Sequence, residues 1–405
     1  MKTMIVVILI CMLLLFLLKV PVYISMALTG CALMMATSGM KWSILTQYLY
    51  TGTNSFTLLA IPLFLLAAKL MNTGGITKKL FAFCMKVVGW LPGGLGAIEI
   101  KAMNENGFDN DFSCCVTAAS STMGPIIPPS IPLVVYATVS GASVGALFMA
   151  GIVPGIVMAL LMMVVVTIYA IKRHYPRTKF PTFHEFGHAL KEGFLPLMAP
   201  IILLVGIYGG VFTPTESAAI VVLYSLFLDV VVYRELSLKK FIAILKETVR
   251  DSLTIALIIA GATFFGYVAT RAKIPQMILT SMTSVVSSKV TLLLIINVFL
   301  LIVGCFLETA SAITIVVPLI LPLLTAYNIN LTQFGIIMVL NLMIGLLTPP
   351  FGLVLFVISK IGHISIGRFS RALVPWLGAL LAALLLVTFI PQLSLWFPTM
   401  LGMSV

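Results

Sequence analysis

Two Pro-Pro pairs carry the first chemical signal in this chain. Pro128-Pro129 follows Ser120, Ser121, Thr122 and Gly124, and Pro349-Pro350 follows Asn341, Gly345 and Thr348. Proline has no N–H and clashes with the carbonyl four residues back, so a helix interrupted there frees carbonyl oxygens. Such carbonyls, with hydroxyls and amide groups beside them, are hard oxygen donors suited to Na⁺ or to a polar anionic solute's hydrogen bonds. The competing reading is a pair of tolerated kinks whose hydroxyls bond back to their own helix. Glu308 is the next candidate, in Leu307-Glu308-Thr309-Ala310-Ser311 after an apolar run. A carboxylate there is costly and by default marks an ion or substrate path. Its alternative is a helix start, where negative charge is favoured. The candidate site is therefore Ser120, Ser121, Thr122 and Gly124, then Glu308, Thr309 and Ser311, then Asn341, Gly345 and Thr348, with Pro128, Pro129, Pro349 and Pro350 as helix breaks.

Other polar residues read as structure. Thr213-Pro214-Thr215-Glu216 is mainly a helix start, with Pro and an acidic residue in the first turn. Asp229 near Arg234 looks like a helix-end charge, and Lys69 like a lysine snorkelling from a helix end. His184 and His188 are four apart, as a helical metal pair would be, but no Cys or carboxylate cluster supports a transition-metal site. The six cysteines show neither metal-ligand nor disulfide-framework spacing and read as small apolar packing. No nucleophile elbow, P-loop or zincin motif occurs, so no enzyme and no cofactor is expected. Without a P-loop, an ion gradient is the natural energy source.

These residues must be positioned by membrane helices. Of 405 residues 61% are hydrophobic and 9% charged, and mean hydropathy is +1.18. A soluble domain has about 25% charged residues, so a soluble enzyme and a disordered chain are excluded. The net charge of +12 does not point to nucleic acid, because the basic residues are spread between apolar runs. They read as topology, since cytoplasmic loops collect Lys and Arg. The N-terminal apolar run to Leu18 lacks a small-residue cleavage site and reads as a retained helix. Roughly ten to twelve apolar runs follow one another. Lys172-Arg173-His174-Tyr175-Pro176-Arg177-Thr178-Lys179 and the polar stretch to Gly193 form the best cytoplasmic linker. Ser237 to Lys246 mixes lysines with apolar residues at helical spacing and is expected to lie along the interface. The short segment from Thr309 to Pro322 fits a re-entrant hairpin better than a full span.

The two halves resemble one another in order. Pro21 matches Pro214 at an offset of 193, Ser55 to Leu58 matches Ser252 to Ile255 at 197, and Pro128 matches Pro349 at 221. Weak two-fold symmetry with Gly/Pro-interrupted segments is common in transporters. The reading is a first membrane repeat at 1–172, a basic linker at 173–193 and a second repeat at 194–405. The offset jumps by 221 − 197 = 24, so about 24 residues present in the second half are missing from the first, between Met85 and Ile98.

With these residues assembled, the chain resembles the large membrane subunit of tripartite ATP-independent periplasmic (TRAP) transporters. The resemblance is most specific at Leu59 to Phe64, Leu91-Pro92-Gly93-Gly94-Leu95, Ala118 to Ser130, Gly210 to Glu216 and Gly345 to Gly352. It implies an all-α, multi-pass protein of the bacterial inner membrane, with inverted repeats, broken helices, re-entrant hairpins and elevator-type motion. It also implies Na⁺ coupling, a small four-helix membrane subunit, and a periplasmic binding protein that delivers a small organic acid such as a dicarboxylate or sugar acid. Such proteins usually continue after Pro-Gly-Gly-Leu into a Ser-Gly-Ser hairpin tip; here Leu95-Gly96 runs directly into Ala97-Ile98-Glu99-Ile100. The expected consequence is the loss of one crossing helix and of the first hairpin's tip, hence of one side of the ligand site, with a disturbed topology beyond it. The alternatives are a single-chain Na⁺/dicarboxylate symporter or anion permease, and a transport-inactive scaffold.

Overall fold

Long apolar runs leave the backbone little choice but helix in lipid, because only bonds within the segment satisfy its N–H and C=O groups there. The computed structural model describes residues 7–8, 10–12, 14–15, 18, 20–37, 41–54, 56–73, 76, 79, 83, 100–105, 107–175, 182–283, 286 and 288–403. The join between residues 85 and 98, and with it Leu91 to Leu95, lies outside the described residues. In chain order the helices are α1 (Val22–Ala36), α2 (Ser43–Thr53), a 3-10 turn (Phe56–Leu59), α3 (Ala60–Thr73), α4 (Ile100–Glu105), α5 (Asn110–Ser121), α6 (Ile131–Ser140), α7 (Val144–Lys172), α8 (Phe183–Tyr208) and α9 (Pro214–Phe227). After a π-turn at Leu228–Val232 come α10 (Leu238–Arg271), α11 (Ile274–Thr283), α12 (Lys289–Phe306), α13 (Thr309–Ala326), α14 (Leu331–Gly345), α15 (Leu353–Ile361), α16 (Ile366–Phe389) and α17 (Gln392–Met400). Among the described residues there is no strand. Among the described residues seven helices (α7, α8, α9 with its π-turn, α10, α12, α13 and α16) are long and apolar enough to cross a membrane. The chain is an all-α polytopic membrane protein.

Local chemistry sets the helix starts. Thr213 and Glu216 form a reciprocal capping box at α9, as do Thr182 and Glu185 at α8. The polar stretch up to Gly193, read above as linker, is thus helical from Phe183 onward. α10 departs further from expectation. Its basic N-terminal stretch does not lie apart as an interfacial helix but continues into the apolar segment as one helix of 34 residues. Ser237 caps it, accepting a hydrogen bond from the Lys240 N–H at 3.3 Å, and no proline interrupts it. At 1.5 Å per residue its length is about 51 Å. α13 also runs unbroken through Pro318 and Pro322 for 18 residues. The hairpin in this region is the pair α12 and α13, turning at Leu307-Glu308, not a fold within 309–322.

α10 lies antiparallel against α2 and α3. Tyr48 stacks on Tyr267 with ring centroids 4.0 Å apart, and Gly52 fits beneath Thr263 and Ala260. Lys69 does not snorkel; it reaches Asp251 at 2.6 Å and Glu247 at 3.2 Å on α10. The opposite face of the fold is built around α14, buried from Thr332 to its end between α12, α16, α7 and α6.

The end of α7 is tied to the start of α5. The Tyr175 hydroxyl donates to Asp109 Oδ2 at 2.6 Å, and Arg173 pairs with the same oxygen. The Tyr175 hydrogen bond, against the opposing effect of burial and with help from Arg173, holds the Asp109 carboxyl below its ordinary range. A depressed folded-state value stabilises the fold above the unfolded-state value, and this contribution is lost as pH falls through the folded one. Asp109→Asn should therefore flatten the acid limb of the stability profile, below about pH 4 where an unfolded Asp titrates, measured by thermal unfolding in detergent across pH; an unchanged limb would refute the assignment.

Candidate functional site

Both interrupted helices are built alike. Each begins at a polar N-cap, passes a cis Pro-Pro bond, and ends its second arm at a glycine C-cap. The N-caps are Asp109 and Asn330 and the C-caps Gly141 and Gly362, so both pairs repeat the Pro-Pro spacing: 330 − 109 = 221 and 362 − 141 = 221. The arms pack crosswise, α5 on α15 and α6 on α14. Asn110 Nδ2 donates to the Gly362 carbonyl at 2.6 Å, and the Tyr136 hydroxyl donates to the Leu331 carbonyl at 2.8 Å. The end of each second arm thus meets the start of the other helix, which sets the two interruptions at matching depth.

At the first break the hydroxyls bond to their own helix. Ser120 donates to the Thr117 carbonyl at 3.2 Å, Ser121 to Ala118 at 2.7 Å and Thr122 to Ala119 at 2.7 Å. Their protons are engaged, as the kink reading expects, but their lone pairs are not. The carbonyls of Thr122 and Gly124 accept no hydrogen bond from a described residue. Ser121 and Gly124 are exposed, Ser120 is half-buried and Thr122 buried. The floor beneath them is α7: the Ile126 carbonyl lies over Gly151 and the Ile127 side chain over Gly155.

The second break is enclosed. Thr348 donates to the Ile344 carbonyl at 2.9 Å, and Asn341 is fully buried. Asn341 Nδ2 donates to Asn297 Oδ1 at 2.6 Å, and Asn297 Nδ2 donates to Thr388 Oγ1 at 3.1 Å, joining α12, α14 and α16. Asn341 Oδ1 is buried and accepts no hydrogen bond from a described residue, which leaves a carbonyl oxygen free for a ligand. Gly345 has a packing role: a Cβ there would stand 2.6 Å from Gly304 Cα and its carbonyl carbon. Asn297, Gln333 and Thr388 escaped the sequence reading; an amide inside an apolar run was the available signal.

Glu308 caps α13. Its carboxylate accepts from the Ala310 N–H at 3.0 Å, the Ser311 N–H at 3.1 Å and the Ser311 hydroxyl at 3.2 Å. The helix-start reading therefore describes it, although it also borders a cleft of about 400 Å³ with Ser311, Asp251 and Thr254. Thr309 is buried, its hydroxyl 3.5 Å from Met343 Sδ on α14. The hairpin turn and the second break thus form one cluster. No hydrogen bond between described residues joins it to Ser120–Gly124. Asp229 differs from its reading as a helix-end charge: it is fully buried, and neither carboxylate oxygen has a hydrogen-bond partner. His188 approaches Glu192 at 3.8 Å, and no group of three metal-ligating residues occurs among the described residues.

Comparison with known proteins bears directly on this arrangement. The family model of the DctM component of the tripartite ATP-independent periplasmic transporters matches in two stretches, residues 9–100 and 94–393. The chain is 38% identical over 403 positions to a sialic acid TRAP transporter large permease of Vibrio cholerae, covering 93% of this chain and 94% of that one. It is 37% identical over 405 positions to a C4-dicarboxylate TRAP transporter large permease of Pseudomonas aeruginosa, covering 94% and 95%. It is 32% identical over 398 positions to a 2,3-diketo-L-gulonate TRAP transporter large permease of Escherichia coli, covering 92% and 94%. In the Vibrio comparison 93% of 405 is about 377 residues, set against 403 positions, so about 26 positions of the alignment have no residue here. The same arithmetic with the Pseudomonas protein gives about 24.

The two glycines at equivalent positions should respond differently to a methyl group. Gly345→Ala should lower the stability of the purified chain by roughly 1–3 kcal/mol through overpacking against α12. Gly124→Ala, whose Cβ would meet among the described residues only the Ser121 carbonyl at 3.7 Å, should leave the unfolding midpoint unchanged. Equal shifts for the two would contradict this account of the packing.

Proposed function

The chain belongs to the DctM family of large permeases of the tripartite ATP-independent periplasmic transporters, a multi-pass protein of the bacterial inner membrane, and on that premise we propose that it is the membrane subunit of an assembly importing a small organic acid. It works with a small four-helix membrane subunit and a periplasmic binding protein, and a Na⁺ gradient drives it. The observation that carries this reading is the pair of interrupted helices at one offset, with free carbonyl oxygens at both breaks. Asn341 Oδ1 and the carbonyls of Thr122 and Gly124 are the Na⁺ ligands of this proposal. The lone pairs of Ser120, Ser121 and Thr348, with Thr309 and Ser311 at the hairpin, orient the substrate. The relatives' names (sialic acid, C4-dicarboxylate, diketogulonate) set the class as a carboxylate small enough for one such site.

The inverted-repeat reading draws support from the α10 seam. In a two-fold interface, if residue i meets j, then the counterpart of j meets the counterpart of i. With the offset of 197, position 48 maps to 245 and position 267 maps to 70, so the Tyr48–Tyr267 contact maps beside Lys69–Glu247. The seam is self-complementary in that sense.

The test is uptake of labelled sialic acid, succinate and a sugar acid into cells carrying the three components, with the Vibrio relative's residues restored between Leu95 and Gly96. Uptake should require Na⁺ and the binding protein; uptake without the binding protein would select the single-chain symporter instead. In that restored chain Asn341→Ala should raise the Na⁺ concentration for half-maximal uptake by about tenfold, equivalent to about 1.4 kcal/mol. An unchanged Na⁺ dependence would remove Asn341 from the ion site.

A further inference from the structure

The second half of the molecule shows what the first half lacks. Offset 197 relates α2 and α3 to α10, and offset 221 relates α5 and α6 to α14 and α15, so the jump between them falls among α11, α12 and α13. The last two turns of α13, at 321–326, correspond at offset 221 to α4 at 100–105. Positions 283–320 thus face only 86–99, so 24 of those 38 residues have no counterpart; the span holds α12, the Leu307-Glu308 turn and the start of α13, which is the interior of a hairpin. The family match divides at residues 94–100, where the offset jumps, and the alignments to the Vibrio and Pseudomonas relatives leave about 26 and about 24 positions without a residue here, the size of that jump.

In the second half, α12 and its turn cover the broken helix. Gly304 seats Gly345, Asn297 holds Asn341, and Thr309 touches Met343. At offset 221, Ser120 occupies the position of Asn341 and Gly124 that of Gly345. Asn341 and Gly345 are buried, whereas Ser120 is half-buried and Ser121 and Gly124 are exposed. Among the described residues the first break has a floor, on α7, and no wall like the one α12 gives its counterpart.

The geometry of the intact hairpin decides what the loss does to the rest. Its two feet lie together: Lys289 Nζ donates to the Asn328 carbonyl at 3.2 Å, and the Tyr327 hydroxyl donates to the Val286 carbonyl at 2.9 Å. A chain that leaves and returns at one point can lose the interior of the excursion without reversing direction. Loss of a single full crossing would instead invert everything after it.

Resting on the transport reading above, we infer that this chain lacks the interior of the first-half counterpart of the α12–α13 hairpin, so that it keeps its relatives' membrane sidedness but has a one-walled site and does not complete uptake. The expectation of a disturbed topology is thereby replaced by a silent one. Two measurements on the full chain, with and without the Vibrio residues restored between Leu95 and Gly96, test the two parts. Alkaline phosphatase and GFP fusions after Gly107, after His184 and at the C-terminus should report the same side in both chains; inverted reporters in the unrestored chain would overturn the inference. Uptake of the three labelled acids should be lost in the unrestored chain and present in the restored one; equal uptake would overturn it while leaving the transport reading intact. If the restored chain takes up none of them, the substrate reading fails and a reciprocal deletion decides the inference. Removing the corresponding residues from the Vibrio permease should abolish its sialic acid uptake with reporter sidedness unchanged; retained uptake or inverted reporters would refute it.

Discussion

A helix interrupted inside a bilayer survives only if something other than lipid covers its freed backbone, because each exposed N–H or C=O there costs several kcal/mol. Here glycine makes that cover possible. The Ile126 carbonyl rests on α7 only because Gly151 has no Cβ, which would otherwise collide with it. α12 reaches the backbone of α14 only because Gly304 and Gly345 face each other. The long helices around the breaks are the material from which floors and walls are made, and backbone-to-backbone approach fixes their places.

The polar interior follows from the same constraint. Asn297, Asn341 and Thr388 bond in series across three helices, and Gln333 donates to the carbonyls of Val387 and Thr388 at 3.1 Å. In surroundings of low dielectric such a chain holds its members in one arrangement, because an unpaired amide is expensive there. One acceptor in the series, Asn341 Oδ1, is left over beside the second break. That leftover oxygen is the one proposed above as a Na⁺ ligand.

Much of this was legible in residue order. The Pro-Pro pairs marked both breaks, Thr213 to Glu216 marked the start of α9, and hydropathy marked the class. What was illegible depended on partners distant in sequence. Lys69 looked like a helix-end lysine because Asp251 and Glu247 lie about 180 residues away. Gly345 looked like a ligand position because its reason for being glycine is Gly304. Glu308 reads from sequence as path or cap, and the cap is visible only once the N–H groups of Ala310 and Ser311 are in place. α10 was divided in two because its charge pattern changes where its backbone does not.

That uninterrupted α10 has a meaning for the lipid as well. Residues 252–271 make up about 30 Å of helix, which matches the hydrocarbon thickness. The preceding turns carry Lys239, Lys240, Lys246 and Arg250 on the same rigid rod, beyond the length that the hydrocarbon needs. Basic residues near an anionic surface contribute about 1 kcal/mol each. A rod that crosses the hydrocarbon with basic residues at one end is held to one leaflet, and antiparallel helices pinned to it share its depth. Membrane thickness and surface charge, properties of the cell and not of the chain, thereby set the height at which the molecule stands.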